Sequence, residues 1–411
     1  MMLNALPDES LPVPDAGPQA GVRKHPVVQL PIPEHKVAGM ANVAALTFLA
    51  ARAVPLGWTV AIAGGVPLAR VAERDGARAG YAAAGASLVE TISIMGPARM
   101  GIPIPHAASA PWLGALAGRR KGLLVLALAG SLVRLLYYGV TSAISILLIV
   151  GLDAYLGTYQ HVRHLVGILP AGRSWALILT AVATGAWSLG AGLIQAWVIR
   201  RGLRRWSQAS VGIEAPAPAP AADPGRPAPP LRAGTMVLVA LAGFAAALAS
   251  TDPRAIGALS LALALIWVLT RAGAGNVLRG LALAAPLALS TFAFGAFGGI
   301  GMDIAARRAA RVALLVLIAV WVRAAAGSEG LRDVSLRVVR RLARFPTLGL
   351  AAAVLGASAG IGDYGQGARR LGRCLGAAQR RPVPVIDAAL SWIAEESVRR
   401  GRYAPPVKAT D

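Results

Sequence analysis

The sequence has a single cysteine, Cys374, in 411 residues, so it has neither an intrachain disulfide nor a metal site made of several cysteines. Acid is scarce: 19 Asp and Glu stand against 41 Lys and Arg, a formal net charge of +22, and charged residues are only 15% of the chain. No Gly-x-x-x-x-Gly-Lys-Ser/Thr phosphate loop occurs, which excludes an ATPase site of that type within the chain. No enzyme activity and no cofactor are implied by any motif. The opening residues lack the early apolar run of a secretory signal and carry Pro7, Pro12, Pro14 and Pro18 among several acids, so residues 1–40 are expected to be a disordered tail.

What is abundant is apolar surface. Hydrophobic residues make up 56% of the chain, with a mean hydropathy of +0.59, more than one soluble core buries. An integral membrane protein is therefore expected. A charge of +22 by itself also fits nucleic-acid binding. The arginines, however, sit beside apolar runs, at Arg200-Arg201-Gly202-Leu203-Arg204-Arg205, Arg340-Arg341 and Arg369-Arg370. There the positive-inside rule places them at the cytoplasmic face, facing anionic lipid or a protein partner and not nucleic acid.

The segment EAPAPAPAADPGRPAPPLR divides the chain, because repeated Ala-Pro opposes helix and favours an extended, solvated form. The expected architecture is all-α: a polytopic membrane helical bundle in two halves, residues 41–212 and 233–411, joined by an Ala/Pro linker over 213–232. Apolar stretches before the linker run about Val43–Ala69, Ala79–Met95, Gly122–Gly151 and Ser174–Ile199. The first two are interrupted by Arg52, Pro55, Pro67 or Glu90, and suit re-entrant or interfacial segments as well as spans. After the linker come Thr235–Ser250, Ala255–Leu269, Leu281–Gly298 and Val312–Ala325, with base-poor and base-rich loops alternating between them. That alternation puts the linker, the Arg271–Arg279 loop and the region from Arg332 on one cytoplasmic side.

Beyond the last stretch, Leu331, Val334, Val338, Leu342 and Phe345 recur at helical spacing, with Arg332, Arg337, Arg341 and Arg344 largely off that stripe. This predicts a basic amphipathic helix that lies among headgroups or packs on the bundle. A weakly apolar stretch, Leu348–Ile361, and an amphipathic segment, Val385–Val398, follow.

From Ala233 to Pro405 the order of elements resembles the transmembrane T component of energy-coupling-factor transporters. The residues carrying the likeness are the turn Ser250-Thr251-Asp252-Pro253, the basic loop with Leu278-Arg279-Gly280, the stretch with Pro286, Phe292, Phe294 and Phe297, the helix Ala305–Ala325, and Ser328-Glu329-Gly330-Leu331. In that family two short Ala-Arg-Gly/Ser motifs dock on the ATPases. Ala378-Gln379-Arg380-Arg381-Pro382 and Ser397-Val398-Arg399-Arg400-Gly401 are similar to them, with Arg380 and Arg399 where the family has alanine and Pro382 where it has a small residue. The resemblance implies a coupling subunit of an importer for vitamins or metal ions in the plasma (inner) membrane of a prokaryote. Its implied partners are two ABC-type ATPase subunits and a substrate-binding membrane subunit, with Arg380, Arg381, Arg399 and Arg400 as coupling residues. Residues 1–212 carry no such resemblance.

Three other constellations draw notice. Glu90 is an ionisable group in an apolar stretch, a functional hypothesis by default. Arg134 or Arg99 is its expected partner, and a structural ion pair is the plainer reading. His161 and His164 can share a helix face with Asp153 near, yet a metal needs three or four ligands, so structural roles are expected for them and a loop position for His106. Asp75-Gly76-Ala77-Arg78 is similar to the opening of the CDP-alcohol phosphotransferase signature, but Gly80–Val89 contains no further acid to hold metal. A non-transporting scaffold that binds lipid or protein through the basic helices is the alternative to a coupling subunit. A membrane-embedded transferase would need Glu90, Asp153, His161 and His164 to converge.

Overall fold

The computed structural model describes residues 34–52, 57–206, 232–358, 364–378 and 381–402, and every regular element among them is helical. The first half comprises α1 (Glu34–Ala50), α2 (Gly57–Ala63), α3 (Gly65–Asp75), α4 (Ala77–Met95), α5 (Pro103–Gly118), α6 (Leu123–Ile144) with a π-helical turn Ser145–Val150, α7 (Leu152–Val166) and α8 (Ser174–Trp206). The second comprises α9 (Ala233–Ala249), α10 (Pro253–Leu269), α11 (Ala274–Phe297), α12 (Met302–Arg341), α13 (Pro346–Ala357), α14 (Tyr364–Gly376) and α15 (Pro382–Arg402). Helix α1 takes in residues 34–40, which were assigned to the tail. Residues 1–33, and the linker up to residue 231, lie outside the described residues.

Four of these helices are long and apolar enough to cross a membrane: α6 with its π turn (28 residues), α8 (33), α11 (24) and α12 (40). At 1.5 Å per residue even α11 exceeds a hydrocarbon layer of ~30 Å. The expected stretch Val43–Ala69 is divided instead among α1, α2 and α3. Neither these helices nor α4 belongs to the long apolar set.

Small residues explain how α1–α5 pack. A Cβ on Gly114 of α5 would lie 2.1 Å from the Ala69 carbonyl oxygen of α3, and one on Gly80 of α4 would lie 2.5 Å from Ala72 Cβ. Only hydrogen fits at such crossings, which bring backbones close enough for dense van der Waals contact. α6 and α8 meet in the same way at Gly192, against Ser131.

The second half is organised around α12, which packs on α9, α10 and α11. Trp321 is buried at its centre among Met236, Leu263, Trp267 and Ile318, and its indole nitrogen donates to Thr270 Oγ1 at 3.0 Å. Burying this large ring with its one polar atom satisfied fixes the register of α12 on α10. At Gly327 the backbone turns to φ 70°, ψ 172°, a conformation glycine adopts without Cβ strain. The kink separates the apolar part of α12 from the basic amphipathic helix expected beyond Ser328. That helix stops at Arg341, short of the Phe345 end of the expected stripe, and Pro346 opens α13. Leu331 is buried, whereas Val338, Leu342 and Phe345 stand exposed beside the exposed Arg337, Arg341 and Arg344.

Helices α13–α15 fold back on the first half. α13 packs on α4, and α1 contacts α13, α14 and α15. Val354 and Leu355 of α13, Leu371 of α14, and Ile386, Leu390 and Ile393 of α15 supply their buried apolar side. α15 is also fastened to the end of α8. Arg201 forks onto Asp387 through Nε–Oδ1 at 2.7 Å and Nη2–Oδ2 at 2.8 Å, and Arg205 Nη2 reaches Oδ2 at 3.0 Å. Part of the basic cluster after the Ser174 span is thus neutralised within the protein, through the planar fork that arginine offers a carboxylate.

Candidate functional site: a buried polar chain between the halves

Glu90 is 2% exposed on α4, which packs on α1 and α13. Its neighbours come from four other segments. The Tyr364 hydroxyl at the start of α14 donates to Glu90 Oε2. A phenol has one proton to give, so the Asn42 side chain of α1 must turn its amide nitrogen toward the carboxyl. In that orientation it donates to both Glu90 oxygens at 2.8 Å and to the Tyr364 oxygen at 3.1 Å. The Ser358 hydroxyl, just past α13, donates to the Leu355 carbonyl at 2.9 Å and lies close enough to Glu90 to favour its charged form. Arg332, on the basic part of α12, holds Ser358 Oγ at 2.6 Å and the Leu355 carbonyl at 2.8 Å. A continuous polar chain therefore runs from the second half, Arg332–Ser358, to Glu90 and Asn42 in the first.

Burial lifts the Glu90 pKa to about 7, against the downward pull of the Tyr364 hydrogen bond, the nearby Ser358 hydroxyl and the Arg332 and Arg400 charges. Desolvation disfavours the carboxylate more than these partners restore it. A carboxyl held by two donors, Tyr364 and Asn42, with Ser358 beside it, titrating near neutrality and joining elements from both halves, is suited to act as a protonation-sensitive latch.

A second buried network joins α5, α6 and α8. Arg134 of α6 is fully buried, and its Nη2 lies 2.6 Å from His106 Nδ1. Its Nη1 donates to Gln195 Oε1 on α8 and, at 3.4 Å, to Ser109 Oγ on α5. Ser109 Oγ in turn reaches Gln195 Oε1 at 2.7 Å. Because the guanidinium only donates, His106 Nδ1 must accept, which leaves the imidazole proton on Nε2. The expected Glu90–Arg134 pair is not formed. Each has its own partners, and His106 is a buried helical residue of α5, not a loop residue.

Of the arginines proposed to couple, Arg380 lies outside the described residues and Arg381 is exposed just before α15. Arg400 points inward, its side chain 8% exposed, with Nε 3.0 Å from Glu396 Oε1 and its guanidinium 5.9 Å from the Tyr364 ring centre. Arg370 also pairs with Glu396, at 2.8 Å, and Arg399 stands 3.9 Å from it. His161 stacks on Phe297, ring centres 5.4 Å apart, and among the described residues no group of three or more His, Cys, Asp or Glu is placed to hold a metal.

No family model, curated protein or solved structure matches this chain. The reading of function therefore rests on the residues and their geometry.

Sequence patterns missed most of the latch. Tyr364 is separated from Glu90 by 274 positions, and only the return of α14 onto α4 and α1 joins them. Asn42 and Gln195 did carry a signal, a lone amide in an otherwise apolar helix, which burial makes expensive unless it is bonded.

Proposed function

We propose that the chain is a polytopic protein of a prokaryotic inner membrane, with α6, α8, α11 and α12 as spans, that acts as a coupling subunit of an energy-coupling-factor type importer. It has no chemistry of its own in this reading. ATPase partners dock on the basic surface formed by the end of α12 and the start of α15, and their motion passes through the C-terminal helices to a substrate-binding membrane subunit. The observation that carries the proposal is that the two helical segments of α12, joined at Gly327, link the apolar core of the second half to its basic surface. The first segment is apolar, and the second, beyond the Gly327 kink, leads into an exposed basic surface of Arg337, Arg341 and Arg344, while its Arg332 holds the polar chain that ends on Glu90. Force on the basic end thus has a direct path to the first half.

A scaffold without transport is the second reading. It is favoured by one observation, that Arg400 is turned into the protein against Glu396, so that Arg381 alone of the described motif arginines offers an exposed group. Co-purification in mild detergent separates the two. The coupling reading expects ABC-type ATPases and a small multi-span protein to accompany the wild-type chain, and Arg381→Glu combined with Arg337→Glu to lose the ATPases. Absence of both partners, under conditions that preserve a control transporter, leaves the scaffold.

A further inference from the structure

Between the end of α4, the first turns of α11 and the last apolar turns of α12 lies a cavity of about 280 Å³. Three arginines line it: Arg99 from the short helical turn after α4, Arg279 from α11 and Arg323 from α12. Asn276 adds a further polar group, Leu283 and Val320 are among its apolar walls, and no acidic side chain lines it. We propose that this pocket binds the phosphate of an anionic amphiphile, the headgroup phosphodiester of an acidic phospholipid, with the apolar wall receiving the adjoining glycerol and acyl carbons.

Its construction is specific. Gly96 ends α4 at φ 84°, and a Cβ there would sit 2.9 Å from Arg323 Cβ, so the missing side chain lets the Arg323 stem pass beneath the helix end. Arg323 Nε is then fixed on the Ile94 carbonyl at 2.8 Å. The side chains of Arg99 and Arg279, by contrast, make no hydrogen bond or ion pair among the described residues. Arg52 is close enough to Arg99 that, after burial, repulsion from Arg99 lowers its pKa. A concentration of positive charge without internal acid is relieved by an external anion, and arginine forks match a phosphate's oxygens. The site also lies at the right depth. α11 begins and the apolar part of α12 ends at the same side of the bundle, next to Gly327 and the basic helix, where basic pockets between spans meet acidic headgroups.

The inference rests on the membrane reading but not on the coupling role. The test is native mass spectrometry of the full chain, exchanged in detergent with phosphatidylglycerol, phosphatidylcholine or inorganic phosphate. One phosphatidylglycerol should remain bound to the wild type. In Arg99→Gln combined with Arg279→Gln, binding should weaken about 30-fold, at roughly fivefold per arginine near the membrane surface. Arg337→Gln with Arg341→Gln, which removes two charges that do not line the pocket, should leave it unchanged. Leu283→Trp, which fills the cavity and leaves the charges in place, should also abolish binding, so the conclusion does not depend on one variant folding well. Retention of inorganic phosphate at the same sensitivity to the arginines, with no preference for the lipid, would identify a free phosphate as the source of the anion. Undiminished phosphatidylglycerol binding by both pocket variants, or equal binding of phosphatidylcholine by the wild type, would overturn the proposal.

Discussion

In α1, Val37, Ala41, Val43, Ala44, Leu46 and Phe48 are all buried, so that little of the helix surface stays apolar and open. In α6, Leu124, Leu128, Leu132, Leu135 and Leu136 all stand exposed. Both segments are apolar, but they meet different surroundings. Helices α1–α5 are rich in Ala, Gly and Ser and pack on one another and on α13–α15. The long helices α6, α8 and α11 each present leucines outward along part of their surface, the arrangement a bilayer accepts and water does not. The difference teaches that hydropathy alone does not say which apolar helix is covered by protein and which by lipid. Side-chain size separates them: small residues mark close helix crossings, and long leucines without partners mark an outer face. The buried polar chain on Glu90 belongs to the first kind of region, where side chains from both halves surround it.

The largest effect should come from spoiling a close crossing. Gly114→Val places a branched side chain where a single Cβ already meets Ala69, and should cost about 3 kcal/mol or more. It should appear as a lowered unfolding temperature in detergent, and an unchanged transition would mean that α3 and α5 do not cross as described. Next, Tyr364→Phe removes a donor from a buried carboxyl, with an expected loss of about 1–3 kcal/mol. Hydrogen exchange would read it as faster opening of α14, and protection equal to wild type would detach α14 from the latch.

The latch should also respond to pH. The folded Glu90 pKa, about 7, lies above its ordinary value of 4.5, so the folded state holds the proton more tightly than the unfolded one. Its contribution is complete below about pH 4.5 and is lost as pH rises through 7. The unfolding temperature should fall between pH 5 and pH 8 in the wild type and stay flatter in Glu90→Gln. Equal slopes would remove Glu90 as the titrating group. The smallest effect belongs to the outer face: Leu136→Ala, at a side chain 69% exposed, should change stability in detergent by no more than about 0.5 kcal/mol. A loss comparable to that of Gly114→Val would erase the contrast between the regions.

How much of this could be read in the sequence follows the same division. The long apolar helices α6, α8, α11 and the apolar part of α12 were legible because a long uninterrupted apolar run has few other physical solutions. So was the α9–α10 turn, where Asp252 Oδ1 accepts from the Arg254 amide at 3.0 Å, as an N-cap does. The change from the apolar stretch ending at Ala325 to an amphipathic stripe from Leu331 was visible too, though not the Gly327 kink between them. The first half was harder to read, since a stretch such as Val43–Ala69 carries no period that tells one span from three short buried helices. The long-range pairs were not legible at all. Arg201–Asp387 and Glu90–Tyr364 depend on α13–α15 folding back, and an amphipathic helix pattern gives the buried face but not the surface that buries it.

The most direct test of the account is the accessibility of single cysteines in intact membrane vesicles, after Cys374→Ala removes the native thiol. Leu136→Cys and Leu289→Cys, both exposed on the protein surface of α6 and α11, should resist a membrane-impermeant maleimide from either side. Arg337→Cys, beyond the Gly327 kink, should react rapidly from the cytoplasmic side alone. Labelling of Leu136→Cys or Leu289→Cys as fast as Arg337→Cys would contradict the central claim that these outward leucines face lipid.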